Sequence, residues 1–213
     1  MKLNKKKTIF LTSIALACSI GISTIALGGG YSFRMYYRGT DCTECEWKHY
    51  DDSQKDSYGN SRQYGLKLCD SHLKEYTKDC TFLDYGYSDY NCMAYAIGKT
   101  GPCEWEWPAS WGASPTVPTV KKYFEKLGYT TEDYDEDNLN GYKEKDAIFV
   151  YGIKYGPQIV VQHFSRANAL DGTDIGNNAT ASKWGCYAIY KTKDVDCYKR
   201  SMGYGECAFV CYK

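Results

Sequence analysis

The chain has little that would bring it to nucleic acid. Its formal net charge is zero, and beyond the first seven residues, MKLNKKK, no basic run occurs. A basic stripe is what a phosphate backbone requires, so nothing suggests a nucleic-acid or anionic-membrane partner. Histidine is scarce, with 3 copies, His49, His72 and His163, so any imidazole chemistry has few places to occur. From Tyr31 to about Cys80 aliphatic residues are few, and a segment that poor in them buries little core unaided. Internal repeats and low-complexity tracts are also missing, which excludes a solenoid or a simple linker.

What is present begins with an uncharged apolar run from Thr8 to about Gly30 behind the basic start, the layout of a bacterial secretory signal. Small residues from Ala26 to Gly30 resemble a processing site. Retention as an anchor is the alternative, because about 20 apolar residues span a bilayer. Residues 1–30 are therefore expected to direct the chain to a secreted or cell-surface place, with any membrane contact confined to this segment. About 180 residues follow, one domain of ordinary size with a small appendage. The 22 tyrosines suit an extracellular surface and receive no further role.

Of 11 cysteines, one, Cys18, lies in the signal, and the ten others imply oxidising surroundings. Ten is even, so five disulfides are one solution. Residues 31–80 suggest another, because Cys42, Cys45, Cys69 and His72 form a CxxC…CxxH array. Each pair presents two ligands from one turn, as a tetrahedral zinc site needs, with His49 a lesser candidate. The stretch YGLKLCDSHLKEY also resembles the second half of small bacterial zinc knuckles, and a structural zinc would stabilise a core-poor segment. Ordinary disulfides among Cys42, Cys45, Cys69 and Cys80 remain the alternative.

Residues 81–213 change character. Tyr90 to Ile97 is a short apolar helix candidate closed by Gly98, and three prolines punctuate a loop from Pro108 to Pro118. Thr119 to Leu127 places Val120, Phe124 and Leu127 on one helical face before Gly128. Residues 146–152 and 159–170 read as strands joined by a turn at Gly156-Pro157, and 179–190 as a third. Helix first and antiparallel meander afterwards give an α+β layout.

Within this part, Cys92 stands behind Asn91, a good N-cap, at the start of the first helix. There the free backbone N–H groups and the dipole favour a thiolate and a developing oxyanion. His163 lies mid-strand, where alternation groups it with Val161 and Ser165 and sets Gln162, Phe164 and Arg166 on the other face. A helix-borne thiol beside a strand-borne imidazole is the pairing that nucleophilic amide hydrolysis needs.

The ordered motifs DYNCMAYAIG, WEWP, KLGY, KDAIFVYG, QHFSRA and ASKWG, over roughly residues 81–190, resemble exported members of the papain-like superfamily, related to NlpC-type and CHAP-type cell-wall amidases. The resemblance implies a nucleophile helix packed on an antiparallel sheet, with Cys92 as nucleophile and His163 as base. Lysine replaces the usual glycine before Asp146. The third, imidazole-orienting residue is expected on the next strand, where Ser182 is the choice, with Lys183 beside it and Asn178 behind. Tyr90 is a candidate oxyanion donor. Trp105 to Trp107 and Trp111 either wall a substrate groove or belong to the core.

The implied function is a thiol hydrolase cleaving amide bonds in cell-wall peptide or protein, with no cofactor for catalysis. Acyl transfer to an amine uses the same pair. With zinc on three cysteines and Cys92 as a thiol, six remain, Cys80, Cys103, Cys186, Cys197, Cys207 and Cys211, enough for three disulfides that staple the C-terminal tail. The rival readings are a non-catalytic binding module on the same scaffold and a disulfide-stapled toxin or adhesin.

Overall fold

The computed structural model describes residues 45–213 apart from 47, 49 and 110–114. The signal segment, Cys42, His49 and Trp111 lie outside the described residues. Among the described residues no helix is long and apolar enough to cross a membrane.

In chain order the elements are β1 (Tyr50–Lys55), β2 (Ser61–Gln63), α1 (Asp70–Tyr76), β3 (Cys80–Asp84), α2 (Cys92–Ala96), α3 (Val117–Lys126), β4 (Thr130–Glu132), α4 (Leu139–Glu144), β5 (Ile148–Tyr155), β6 (Gln158–Arg166), β7 (Thr180–Lys183), β8 (Ile189–Thr192) and β9 (Glu206–Tyr212). The strands β1 and β2 form a hairpin of their own. The other seven make an antiparallel sheet in the order β3-β8-β7-β6-β5-β9-β4. The fold is α+β, as the sequence pattern indicates.

The helix signals act locally as expected. Asn91 accepts a hydrogen bond from the Ala94 N–H at 2.9 Å and so caps α2. Gly98, at φ +82°, ends it. In α3 Val120 and Phe124 are fully buried, whereas Leu127 is 41% exposed and lies past the buried stripe. The segment 179–190, expected as one strand, is instead two: the chain reverses between Trp184 and Ala188, where Gly185 takes φ +58° and Tyr187 N–H donates to the Trp184 carbonyl at 2.9 Å. Three further strands of this sheet carried no clear signal, β3 and β4 at its two ends and β9 between β5 and β4. The tail thus joins the sheet through backbone pairing, and no disulfide holds Cys80, Cys103, Cys197, Cys207 or Cys211, whose expected staples are therefore not seen.

Both faces of the sheet are covered. On one, α2 and α3 pack with Cys92, Met93, Val120, Phe124, Ile148, Val150, Phe164 and Phe209. On the other lie Tyr142, Phe149, Tyr151, Trp184, Tyr190 and Tyr198, and here the first segment contributes Leu66, Leu68, Leu73 and Tyr76. Despite few aliphatic residues it shares the main core, because those it has fall at buried positions of one face.

The centre of the sheet is irregular on both sides of Gly152. The β5–β6 register slips between Tyr151 and Gly152, leaving Gln162 as a bulge, and the β5–β9 register slips between Val150 and Tyr151. Gly152 permits both slips, since a Cβ there would come 2.8 Å from the Val160 carbonyl oxygen. Gly205 approaches from the other side: at φ +78°, its Cβ would overlap the Gly152 carbonyl. Gly205→Ala therefore combines left-handed strain with a backbone clash. It is expected to cost at least about 3 kcal/mol in urea unfolding; a loss below about 1 kcal/mol would mean the approach is not constrained.

Candidate active site

Strand β6 is paired with β5 along one edge, while its other edge is filled piecemeal. Val161 N–H donates to the Pro115 carbonyl at 2.8 Å, and β7 joins only at Arg166 opposite Ala181. The N-terminus of α2 lies in the gap between. Cys92 is its first residue, and the Phe164 N–H on the open edge of β6 reaches the Cys92 sulfur. Asn91 fixes this approach, its Nδ2 donating to the Glu106 carbonyl at 2.7 Å while its oxygen caps the helix. Behind it, Arg62 grips Asp89 with two hydrogen bonds of 2.9 and 2.7 Å and reaches the carbonyls of Thr100 and Gly101, so the first segment holds the loop before Cys92. At the helix exit, Arg166 donates to the Ala96 carbonyl at 2.9 Å and pairs with Asp146.

Burial pushes the Cys92 thiol up to about 11. The N–H groups of Phe164, Met93 and Cys92 itself, and the charge of buried Lys183, pull the other way without overcoming it. At pH 7 Cys92 is therefore held as the thiol. Iodoacetamide labelling of the native protein is expected to rise about tenfold per pH unit from pH 7 toward 10. A rate already level at pH 7 would mean that another group holds the thiolate.

His163 is fully buried, and burial holds its imidazole well below the ordinary range, so it is neutral. Its neighbour Phe164 turns toward α2, and His163 therefore turns to the other face of the sheet. There it stacks on Tyr204 with ring centroids 3.8 Å apart and meets the rings of Tyr151 and Tyr198. The bulge at Gln162 changes the expected grouping: Val161 joins Phe164 on the helix side, and Ser165 alone stays with His163, bonded to the Tyr151 hydroxyl at 2.9 Å. Nε2 lies 3.2 Å from the Tyr198 hydroxyl, and Nδ1 has no hydrogen-bond partner. Cys92 and His163 thus flank one peptide unit without a hydrogen bond between them.

Ser182 is brought close, but at one remove. Its Oγ lies 3.0 Å from the Tyr198 hydroxyl and accepts from the Trp184 indole N–H at 3.0 Å, making a buried chain Trp184–Ser182–Tyr198–His163. Lys183 donates to the carbonyls of Gly185 and Tyr187. Asn178 turns back on its own loop, at the Ile175 carbonyl, and is no part of the chain. Tyr90 is buried, with the Lys183 ammonium 5.3 Å from its ring. Trp107 and Phe164 meet at right angles, edge to face, which favours the core reading for Trp107. The sequence reading missed Tyr198 and Tyr204. Neither carries a motif, and their distance along the chain hides their contact with His163.

Of the four expected metal ligands, three are described and converge: the donor atoms of Cys45, Cys69 and His72 all lie within 4.8 Å of one another.

No curated protein matches this chain, and no solved structure does. One family match covers residues 84–212, more than half of the chain, including α2 to α4, β4 to β9, Cys92, His163 and Ser182 but not the Cys45–Cys69–His72 cluster. The chain belongs to the family described as Domain of unknown function (DUF7689).

Proposed function

We propose that this protein is an exported, papain-like thiol hydrolase that cleaves amide bonds in peptides, in cell-wall peptide or protein, with Cys92 as nucleophile and His163 as base. The observation that carries the reading is the seat of the Cys92 thiol, at the first position of α2 and against the N–H that follows His163. N–H groups of Cys92, Met93 and Phe164 converge on the sulfur. Preorganised donors of this kind stabilise negative charge on sulfur and on an adjacent oxyanion.

The chain behind His163 gives Ser182 its role. Trp184 can only donate, so Ser182 accepts from it. If Tyr198 in turn donates to Ser182, its oxygen is left to accept Nε2–H, and the free lone pair of His163 is on Nδ1. In that tautomer Nδ1 takes the Cys92 proton as the sulfur attacks the amide carbonyl. The imidazolium returns the proton to the leaving amine, and water then hydrolyses the thioester. Ser182 and Tyr198 are positioning residues in this scheme. Reaction therefore requires the imidazole, which faces away from α2 under the stacked Tyr204 and has no bond to Cys92, to turn toward the sulfur.

The test is to incubate the mature protein with peptide amides and cell-wall peptide fragments, following amine release and the mass of the Cys92 peptide. An acyl adduct on Cys92 with amine release supports the reading; absence of both across these substrates removes it. The binding-module rival is favoured by one observation, the burial of His163 without a bond to Cys92. Peptide or glycan binding by wild-type protein without turnover would establish it.

A further inference from the structure

We infer that Cys45, Cys69 and His72 bind one zinc ion, which fastens the first segment over the sheet face opposite α2. The site is independent of the hydrolase reading, since it lies outside the family match and away from Cys92. Backbone pairing builds it. Glu46 N–H donates to the Lys67 carbonyl at 2.9 Å and Lys67 N–H to the Glu46 carbonyl at 3.2 Å, an antiparallel bridge that sets Cys45 beside Leu68 and Cys69. Cys69 then occupies the N-cap of α1 without capping it through its side chain, and His72 follows three residues later on the adjoining turn. Leu68 is anchored by its N–H to the Tyr190 hydroxyl at 2.7 Å, and Leu73 is buried, so core packing holds both ends of the Cys69–His72 pair.

The donor set suits a metal better than a disulfide. Zinc bonds of about 2.3 Å to sulfur and about 2.0–2.1 Å to nitrogen, at tetrahedral angles, place sulfur and nitrogen about 3.5 Å apart. Cys45 Sγ and His72 Nδ1 are 3.5 Å apart. A Cys45–Cys69 disulfide has no use for the third donor, whereas two thiolates and an imidazole are the soft-to-borderline set that selects zinc over calcium or magnesium. Binding takes the two thiols as thiolates and releases their protons. Three protein donors leave a fourth position of the tetrahedron.

The experiment is metal analysis of the full mature chain purified without chelator, with X-ray absorption at the zinc edge. About one zinc per chain is expected, in a shell with sulfur near 2.3 Å and nitrogen near 2.0 Å. Cys69→Ser and His72→Gln should each lower the content at least about tenfold at equal protein concentration after dialysis. The wild-type spectrum needs no variant to fold, so the inference stays testable if either substitution unfolds the segment. Wild-type protein that takes up no zinc, a mapped Cys45–Cys69 disulfide, or a shell without sulfur would overturn it.

Discussion

Cys92→Ala is expected to abolish amide hydrolysis, lowering kcat by about 10⁴-fold or more, while leaving the fold intact. The size of the effect follows from covalent catalysis: without sulfur no thioester forms, and the remaining N–H donors stabilise only direct attack by water. The fold survives because what builds this corner is elsewhere. Asn91 caps α2 and ties it to Glu106, Arg62 holds Asp89, and Arg166 holds the far end at Ala96. Removing one sulfur atom from a packed site costs about 1 kcal/mol. Amine release by chromatography, alongside thermal melts of both proteins, checks both halves. Wild-type turnover in a folded variant would remove Cys92 as the nucleophile.

His163→Gln is expected to change the pH dependence of stability as well as activity. The imidazole is fully buried and its proton affinity is depressed in the folded state, by desolvation. Below about pH 6.5 the unfolded chain takes a proton that the folded chain refuses. The unfolded state then binds more protons, so unfolding becomes easier as pH falls. The stability in question is complete above about pH 6.5 and is lost below it, at up to about 1.4 kcal/mol per pH unit, until the folded imidazole is itself protonated. Glutamine cannot titrate, so the variant lacks this contribution. Urea unfolding at several pH values between about 7.5 and 4.5 should give a steeper fall for wild type. At neutral pH the variant should be about 1–3 kcal/mol less stable, from the altered bond to Tyr198 and the lost stack on Tyr204. Parallel pH curves would mean that His163 is accessible to protons in the folded state.

Much of the architecture was legible because its signals are local. Asn91 as a cap, Gly98 and Gly128 as stops, the buried Val120 and Phe124 stripe and the turn at Gly156-Pro157 each act within a few residues of themselves. The strands β3, β4 and β9 escaped because their partners lie far along the chain, β8 for the first, β9 for the second, and β5 with β4 for the third. The segment 179–190 misled because ATASKWGCYAIY is strand-like throughout, and only the Trp184–Ala188 reversal divides it.

The sequence by itself determined that a thiol would begin a capped helix, that a single histidine would stand mid-strand after it, and that Cys45, Cys69 and His72, three of the four expected ligands, are spaced to meet. Those outcomes depend on caps, turns and short spacings. Only the tertiary structure decided which way the histidine faces and what surrounds it. Strict alternation puts Val161 with His163; the bulge at Gln162 separates them, and that bulge exists because β5 offers Gly152, with no Cβ, where β6 and Gly205 crowd in. A residue's side of a sheet is a property of its pairing with another strand. It is therefore settled by partners distant in sequence, as are Tyr198 and Tyr204, which close over His163 only once β7, β9 and the loop between β8 and β9 have come together.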